Sequence, residues 1–307
     1  MSRNVQLVLI AIVIVLVAGP LMLALAGALR ARSLPAAKHG ANAAVRDPAL
    51  VIASTLLYTL AFNLTFFIQE LFLVLPKALT PGLRPTLFHN NHRWEGDSAF
   101  AALFQGTGAL ATLIAAGACA LLLRRIRFRS VNARLFLVWM VYCGCFMALP
   151  QVVIGALSAG SDVGMAMDYF RLSPVAKTLA ALIALVSMPV IALWLARELL
   201  GLATDPAQID TASARSRFIA CVATLPALAA VGLIIPFRVP REIVEVVVLP
   251  IVVSWAGVAW MQAASWRIVD AARIAGARTA TIAWPLVAVV LLLLFFQFVL
   301  RPGIHFY

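Results

Sequence analysis

The sequence predicts an all-α, polytopic integral membrane protein with about eight transmembrane helices, and three observations carry that prediction. Apolar runs of about 20 residues or more recur along the 307 residues, with almost no charge inside them. Of the whole chain, 64% is hydrophobic, at a mean hydropathy of +1.01. The runs are continuous rather than alternating, which selects helices over a barrel, the other structure that satisfies every backbone group in lipid. With loops of about twenty residues at most, the chain reads as a single transmembrane bundle over 1–307.

The predicted spans cover about residues 5–29, 50–75, 99–123, 133–157, 174–196, 216–236, 244–265 and 281–300. The sixth and seventh are joined by a tight charged turn, Pro236-Phe237-Arg238-Val239-Pro240-Arg241-Glu242. The first could be mistaken for a secretory signal. Its roughly 25 apolar residues exceed a signal's apolar region, so it is expected to remain as an anchor.

Orientation follows from Lys and Arg. The loops 30–49, 124–134, 197–217 and 266–280 carry fifteen of them and the opposite side nine, so those four loops are expected to be cytoplasmic and both termini extracytoplasmic. The run Arg124, Arg125, Arg127, Arg129, Arg134 is the strongest single vote. This implies a multi-pass protein of the cell membrane, the inner membrane in a Gram-negative cell. The net charge of +12 is explained by juxtamembrane attraction to anionic lipid. Membrane lipids are therefore the expected partners, and nucleic acid is not. The sequence names no protein partner.

Cys119, Cys143, Cys145 and Cys221 all fall inside spans. Helix positions two apart point about 200° away from each other, so Cys143 and Cys145 form neither a disulfide nor a chelating pair. They are expected to be packing or lipid-facing residues.

Against this background one stretch is conspicuously polar. Residues 88–97, Phe-His-Asn-Asn-His-Arg-Trp-Glu-Gly-Asp, hold two of the four histidines and two of the twelve acids. His89 and His92 have H-x-x-H spacing, which on a helical turn places both imidazoles on one side. Asp97 or Ser98 would cap the third span. The C-terminal tail adds His305 on the same side.

The second span carries Thr59, Asn63, Phe66 and Glu70 along one face, with Glu70 roughly 8 Å short of Pro76. A carboxyl group in lipid is expensive and needs a partner. Gln69, Gln105, Gln151 and Gln297 fall at a similar height, while the cytoplasmic halves carry few such groups, which favours an outward-opening polar pocket over a conduit.

From these residues the sequence supports a metal-assisted hydrolase or transferase acting on a lipid or lipid-linked substrate. His89, His92 and His305 would hold Zn²⁺ or another divalent metal. Glu70 or Asp97 would be the general base, and Asn63, Gln69, Gln105, Gln151 and Arg171 would bind substrate. H-x-x-H by itself is a weak signal, and His and Tyr also favour the membrane interface.

The alternatives are a proton-coupled transporter or lipid-handling permease, with Glu70 carrying the proton and Pro76, Pro150, Pro189 and Pro226 as hinges, or an assembly subunit of a membrane complex. The sequence holds no H-E-x-x-H, G-x-S-x-G or G-x-x-x-x-G-K-[ST] motif.

Overall fold

The computed structural model describes residues 2–33, 47–126, 130–269 and 280–307. Among them are eight helices long and apolar enough to cross a membrane: Arg3–Arg30, Pro48–Ala78, Ala101–Arg125, Val131–Leu157, Pro174–Leu200, Ala212–Arg238, Glu245–Arg267 and Ala283–Leu300. No boundary departs from the expected span by more than four residues. His39 and the basic residues Lys38, Arg46, Arg127, Arg129, Arg273 and Arg278 lie outside the described residues.

Local chemistry sets several helix starts. Asp47, Ser130, Ser173 and Thr211 each accept a hydrogen bond from a backbone N–H in the first turn, and Pro48 and Pro174 occupy positions where a missing N–H does no harm. The third span departs from expectation. It opens at Ala101 behind Phe100, which provides no side-chain cap. Ser98 Oγ instead accepts from Phe100 N at 3.3 Å in a local turn, and Asp97 is exposed beyond it.

Four π-helical turns share one cause. Ile14–Ala18, Ala220–Thr224, Val244–Val248 and Phe295–Leu300 are each followed, two residues on, by a proline: Pro20, Pro226, Pro250 and Pro302. A proline ring collides with the carbonyl four residues earlier, and widening the turn by one residue clears it. The residue before the proline then bonds five back, as Gly19 N does to Ile14 O, Leu225 N to Ala220 O and Arg301 N to Phe296 O. These turns fall in the first, sixth, seventh and eighth spans only. Pro76, Pro150, Pro189 and Pro236 sit in regular helix, and nothing in their surroundings explains the difference.

The second and fourth spans form the centre, with 67% and 78% of their apolar windows buried, against 11% for the first and 22% for the eighth. The third span packs on the second and fourth, the fifth on the fourth, and the sixth and eighth on the second. The seventh bridges the first, fourth, fifth and sixth. Cys143 and Cys145 are buried packing residues of the fourth span, and all four cysteines are free.

The centre is less bare of polar groups than the acids and amides of the sequence suggest. Ser54 Oγ donates to Val222 O at 2.6 Å and accepts from Trp139 Nε1 at 3.0 Å. Tyr58 pairs with Ser254 Oγ at 2.7 Å, and the Tyr142 hydroxyl joins the same stretch of the seventh span. Acids and amides remain few in the half of the bundle away from Glu70, but hydroxyl and indole groups hidden in the apolar runs cross-link its helices. Ser54, Tyr58, Asn63, Phe66, Glu70 and Lys77 follow one another along the buried side of the second span.

Two structural segments project from the Glu70 end. One is the short helix Asp162–Tyr169. The other is a three-stranded sheet of β1 (Arg84–Leu87), β2 (His92–Glu95) and β3 (Ile304–His305), in the order β2-β1-β3 and antiparallel throughout. Gly96, at φ +91°, closes the hairpin base where an added Cβ would lie 1.8 Å from Gly82 O, so only glycine fits.

Removing the Ser54 hydroxyl would leave the buried Trp139 N–H without an acceptor. Ser54→Ala is expected to cost about 1–3 kcal/mol. Ser54→Ala with Trp139→Phe should cost less than the sum of the single changes, because no unmatched group remains. Thermal unfolding of the three variants in detergent checks this.

Candidate functional site

The H-x-x-H stretch is a β-hairpin and not a helical turn. Phe88 N donates to Asn91 O at 2.8 Å, and the residues 88–91 turn the chain between β1 and β2. Strand alternation then sends His92 and Trp94 inward and Arg93 and Glu95 outward. His92 and Trp94 stack, with ring centroids 5.7 Å apart. This face lies on the end of the second span.

There His92 Nδ1 meets Glu70 Oε2 at 2.9 Å, and both side chains are only 9% exposed. Lys77, two helical turns beyond Glu70 on the same face, is fully buried. Its Nζ donates to Leu73 O at 2.9 Å, lies 3.5 Å from both His92 Nε2 and Gln105 Oε1, and sits 4.5 Å from the centroid of Trp94. An ammonium can only donate, so His92 Nε2 accepts from Lys77 while Nδ1 carries the hydrogen offered to Glu70. The result is a closed chain, Lys77 to His92 to Glu70, capped by an aromatic face that favours the cation.

Two further charges act on this chain. Asp162, at the start of the short helix, is within electrostatic range of Glu70, His92 and Lys77. Burial raises its pKa from the usual 3.8, Glu70 adds to the rise, and His92 and Lys77 oppose it. One turn below Glu70, the Arg238 guanidinium lies over the Phe66 ring at 4.1 Å and donates from Nε to Glu245 O at 2.8 Å. Arg238 also feels the charge of Glu70.

His89 has a separate task. Its Nε2 donates to Val239 O at 3.0 Å, and the Asn90 amide donates to Arg238 O at 3.0 Å and Pro240 O at 3.2 Å. The hairpin turn thus clasps the connection between the sixth and seventh spans and holds Arg238 in place. Burial lowers the pKa of His89 below the usual 6.5, and Arg301, Arg238 and Arg241 push the same way against the Val239 hydrogen bond.

The three imidazoles expected to share a metal therefore stand in three places. His92 is on Glu70, His89 on Val239, and His305 Nδ1 on Thr86 Oγ1 at 3.0 Å. Among the described residues no three of His, Cys, Asp and Glu come together as a metal-holding group.

The other candidate positions divide. Gln105 joins the site through Lys77. Gln69 and Gln151 bond to each other at 2.8 Å, tying the second span to the fourth. Asn63 is buried lower down and donates to Thr59 O at 2.8 Å within its own helix. Asp97 and Arg171 are exposed, and no hydrogen bond or ion pair brings either into the site. Gln297 donates to Pro236 O and fastens the eighth span to the end of the sixth.

Lys77, Trp94, Asp162 and Arg238 belong to the site and were not among the expected residues. Lys77 was legible as the continuation of the Asn63, Phe66, Glu70 face, and the His-Arg-Trp-Glu alternation of β2 was legible as a strand. Asp162 was legible only as part of a fourth-to-fifth connection on the same side as the histidines, and the approach of Arg238, which ends the sixth span far from Glu70 in sequence, was not legible.

No protein-family model, curated protein or solved structure matches this chain.

Glu70→Ala is expected to destabilise the protein by about 3 kcal/mol because it strands buried Lys77. Glu70→Gln, which keeps an acceptor for His92, should cost about 1 kcal/mol, and thermal unfolding in detergent separates the two. The clasp is predicted to depend on pH through His89. A histidine whose folded pKa is depressed binds its proton more readily when released, so the full contribution is present above pH 6.5 and is lost as pH falls below that value. Protease cleavage of the 236–242 connection should rise on acidification below 6.5, and His89→Gln should flatten the response.

Proposed function

We propose that this chain is a proton-coupled transporter or lipid-handling permease of the cell membrane, the inner membrane in a Gram-negative cell. Both termini and the Glu70 site face the outer side in this reading. The eight apolar helices support the multi-pass part. The observation that carries the rest is the closed chain from Lys77 through His92 to Glu70, in which both imidazole nitrogens face ionisable side chains.

As a general base Glu70 would turn its carboxylate to a substrate, whereas its Oε2 accepts from His92 Nδ1, and the other nitrogen of that ring faces Lys77. A proton carrier needs a carboxylate whose protonation alters how two helices or segments hold together. Glu70 answers to that description. A proton on its carboxyl group removes the negative charge that holds His92 of the hairpin and offsets Lys77, and so loosens the hairpin from the second span.

The same reading gives the Pro-linked π turns a task. They lie in the first, sixth, seventh and eighth spans, leaving the second to fifth without one, so bending is concentrated in one set of helices. The sixth span carries Arg238 and the clasped connection, which couples the hairpin to it.

The test is reconstitution in liposomes with a pH-sensitive dye inside and an inward proton gradient, screened with amphipathic and lipid-linked compounds. Wild-type protein is expected to acidify the lumen with at least one compound and Glu70→Gln with none. Flux in Glu70→Gln equal to wild type would overturn the reading. Orientation is checked by alkaline phosphatase fusions, active after Arg93 and inactive after Arg129.

A further inference from the structure

At the opposite end of the bundle from Glu70, the first span is pinned to the seventh by two indoles. Trp260 Nε1 donates to Val15 O at 2.8 Å, and Trp266 Nε1 donates to Leu23 O at 3.3 Å. Gly19 and Gly27 make this possible, since a Cβ on either would come within 2.6 Å of the facing tryptophan. The first span is thereby held in place while most of its surface stays uncovered.

Between it and the fifth and seventh spans lies a cleft of about 660 Å³, walled by Met22, Leu23, Ala26, Leu193 and Trp260 and ended by Arg197 and Arg267. A second cleft of about 350 Å³ lies beside it, bordered by Arg30, Arg215, Trp266 and the same Arg267. Among the described residues no acidic side chain lines either cleft. Arg197 and Arg267 are exposed, and among the described residues no carboxylate pairs with them; neighbouring Glu198 is taken by Arg134. Arg215, only 8% exposed, gives its terminal nitrogens to three backbone carbonyls and leaves Nε without a partner.

We propose that this end of the bundle is a binding site for an anionic glycerophospholipid. One acyl chain fills the larger cleft, and the phosphodiester sits between Arg197 and Arg267. Guanidinium groups bind phosphate oxygens in paired hydrogen bonds, and two of them at the end of an apolar groove match an anionic headgroup above a hydrocarbon tail. A free phosphate would leave the groove walls uncovered. A zwitterionic lipid would bring an ammonium into a cluster of cations where, among the described residues, no carboxylate receives it.

The experiment uses full-length protein stripped of lipid in detergent, titrated with phosphatidylglycerol, phosphatidylcholine or inorganic phosphate and read by native mass spectrometry. Wild type is expected to retain phosphatidylglycerol well above phosphatidylcholine, with no displacement by phosphate. The double change R197Q with R267Q should weaken phosphatidylglycerol by about thirtyfold, while R197K with R267K, which keeps the charge and loses the paired hydrogen bonds, should fall between that variant and wild type. Ala26→Leu, which fills the groove and spares both arginines, should weaken it too. All variants are compared by unfolding temperature in lipid-free detergent, and only those that match wild type are scored. Equal retention of the two lipids by wild type, or undiminished phosphatidylglycerol binding by the R197Q, R267Q protein or by Ala26→Leu, would overturn the proposal.

Discussion

Burying Glu70 and Lys77 on one face of the second span is the constraint around which the rest of this end of the molecule is arranged. Each charge taken out of water carries a penalty of several kcal/mol, so each needs partners with good geometry. His92 provides one partner to both, with one ring nitrogen toward each. The hairpin must then lie on the helix end in one register, because a slip of one residue would send His92 and Trp94 outward and Arg93 and Glu95 inward. The glycine at 96, the clasp by His89 and Asn90 and the edge strand at Ile304–His305 all serve to fix that register.

The same principle explains why the clasp and the relay are joined. Arg238 lies beneath Glu70, and its carbonyl and those of Val239 and Pro240 are held by the hairpin turn. The stretch richest in histidine thus grips two separate parts of the bundle, the end of the second span through His92 and the sixth-to-seventh connection through His89. Spacing along the chain suggested that the two imidazoles act together. Strand and turn geometry divides them, because residues three apart across a hairpin turn need not share a side.

Much of the fold was legible in the sequence. All eight spans lie where continuous apolar runs place them, because in lipid a backbone has almost no alternative to a helix. Glu70 was legible as a site residue from the cost of an acid inside a span, and Gln105 from its depth. Lys77 and the hydroxyl network of Ser54, Tyr58, Tyr142 and Ser254 carry no such signal. Lys77 stands next to Pro76 and reads as the start of a loop, but the helix continues through that proline to Ala78. Serine, tyrosine and tryptophan are common enough in apolar runs that composition gives no warning when they bond across helices.

The number, place and length of the helices were decided by the sequence alone, since hydrocarbon thickness and backbone hydrogen bonding leave little choice. The four widened turns were not, since Pro76, Pro150, Pro189 and Pro236 stay in regular helix. What only the tertiary structure decided is which polar groups meet. Glu70, His92, Lys77, Gln105 and Asp162 come from two spans, a hairpin and a short helix. His89, His92 and His305 are parted by strand alternation and by hydrogen bonds to Val239, Glu70 and Thr86, none of which is written in their spacing. Long-range electrostatic pairing depends on how helix ends are packed, and that is settled by side chains throughout the bundle rather than by any one stretch.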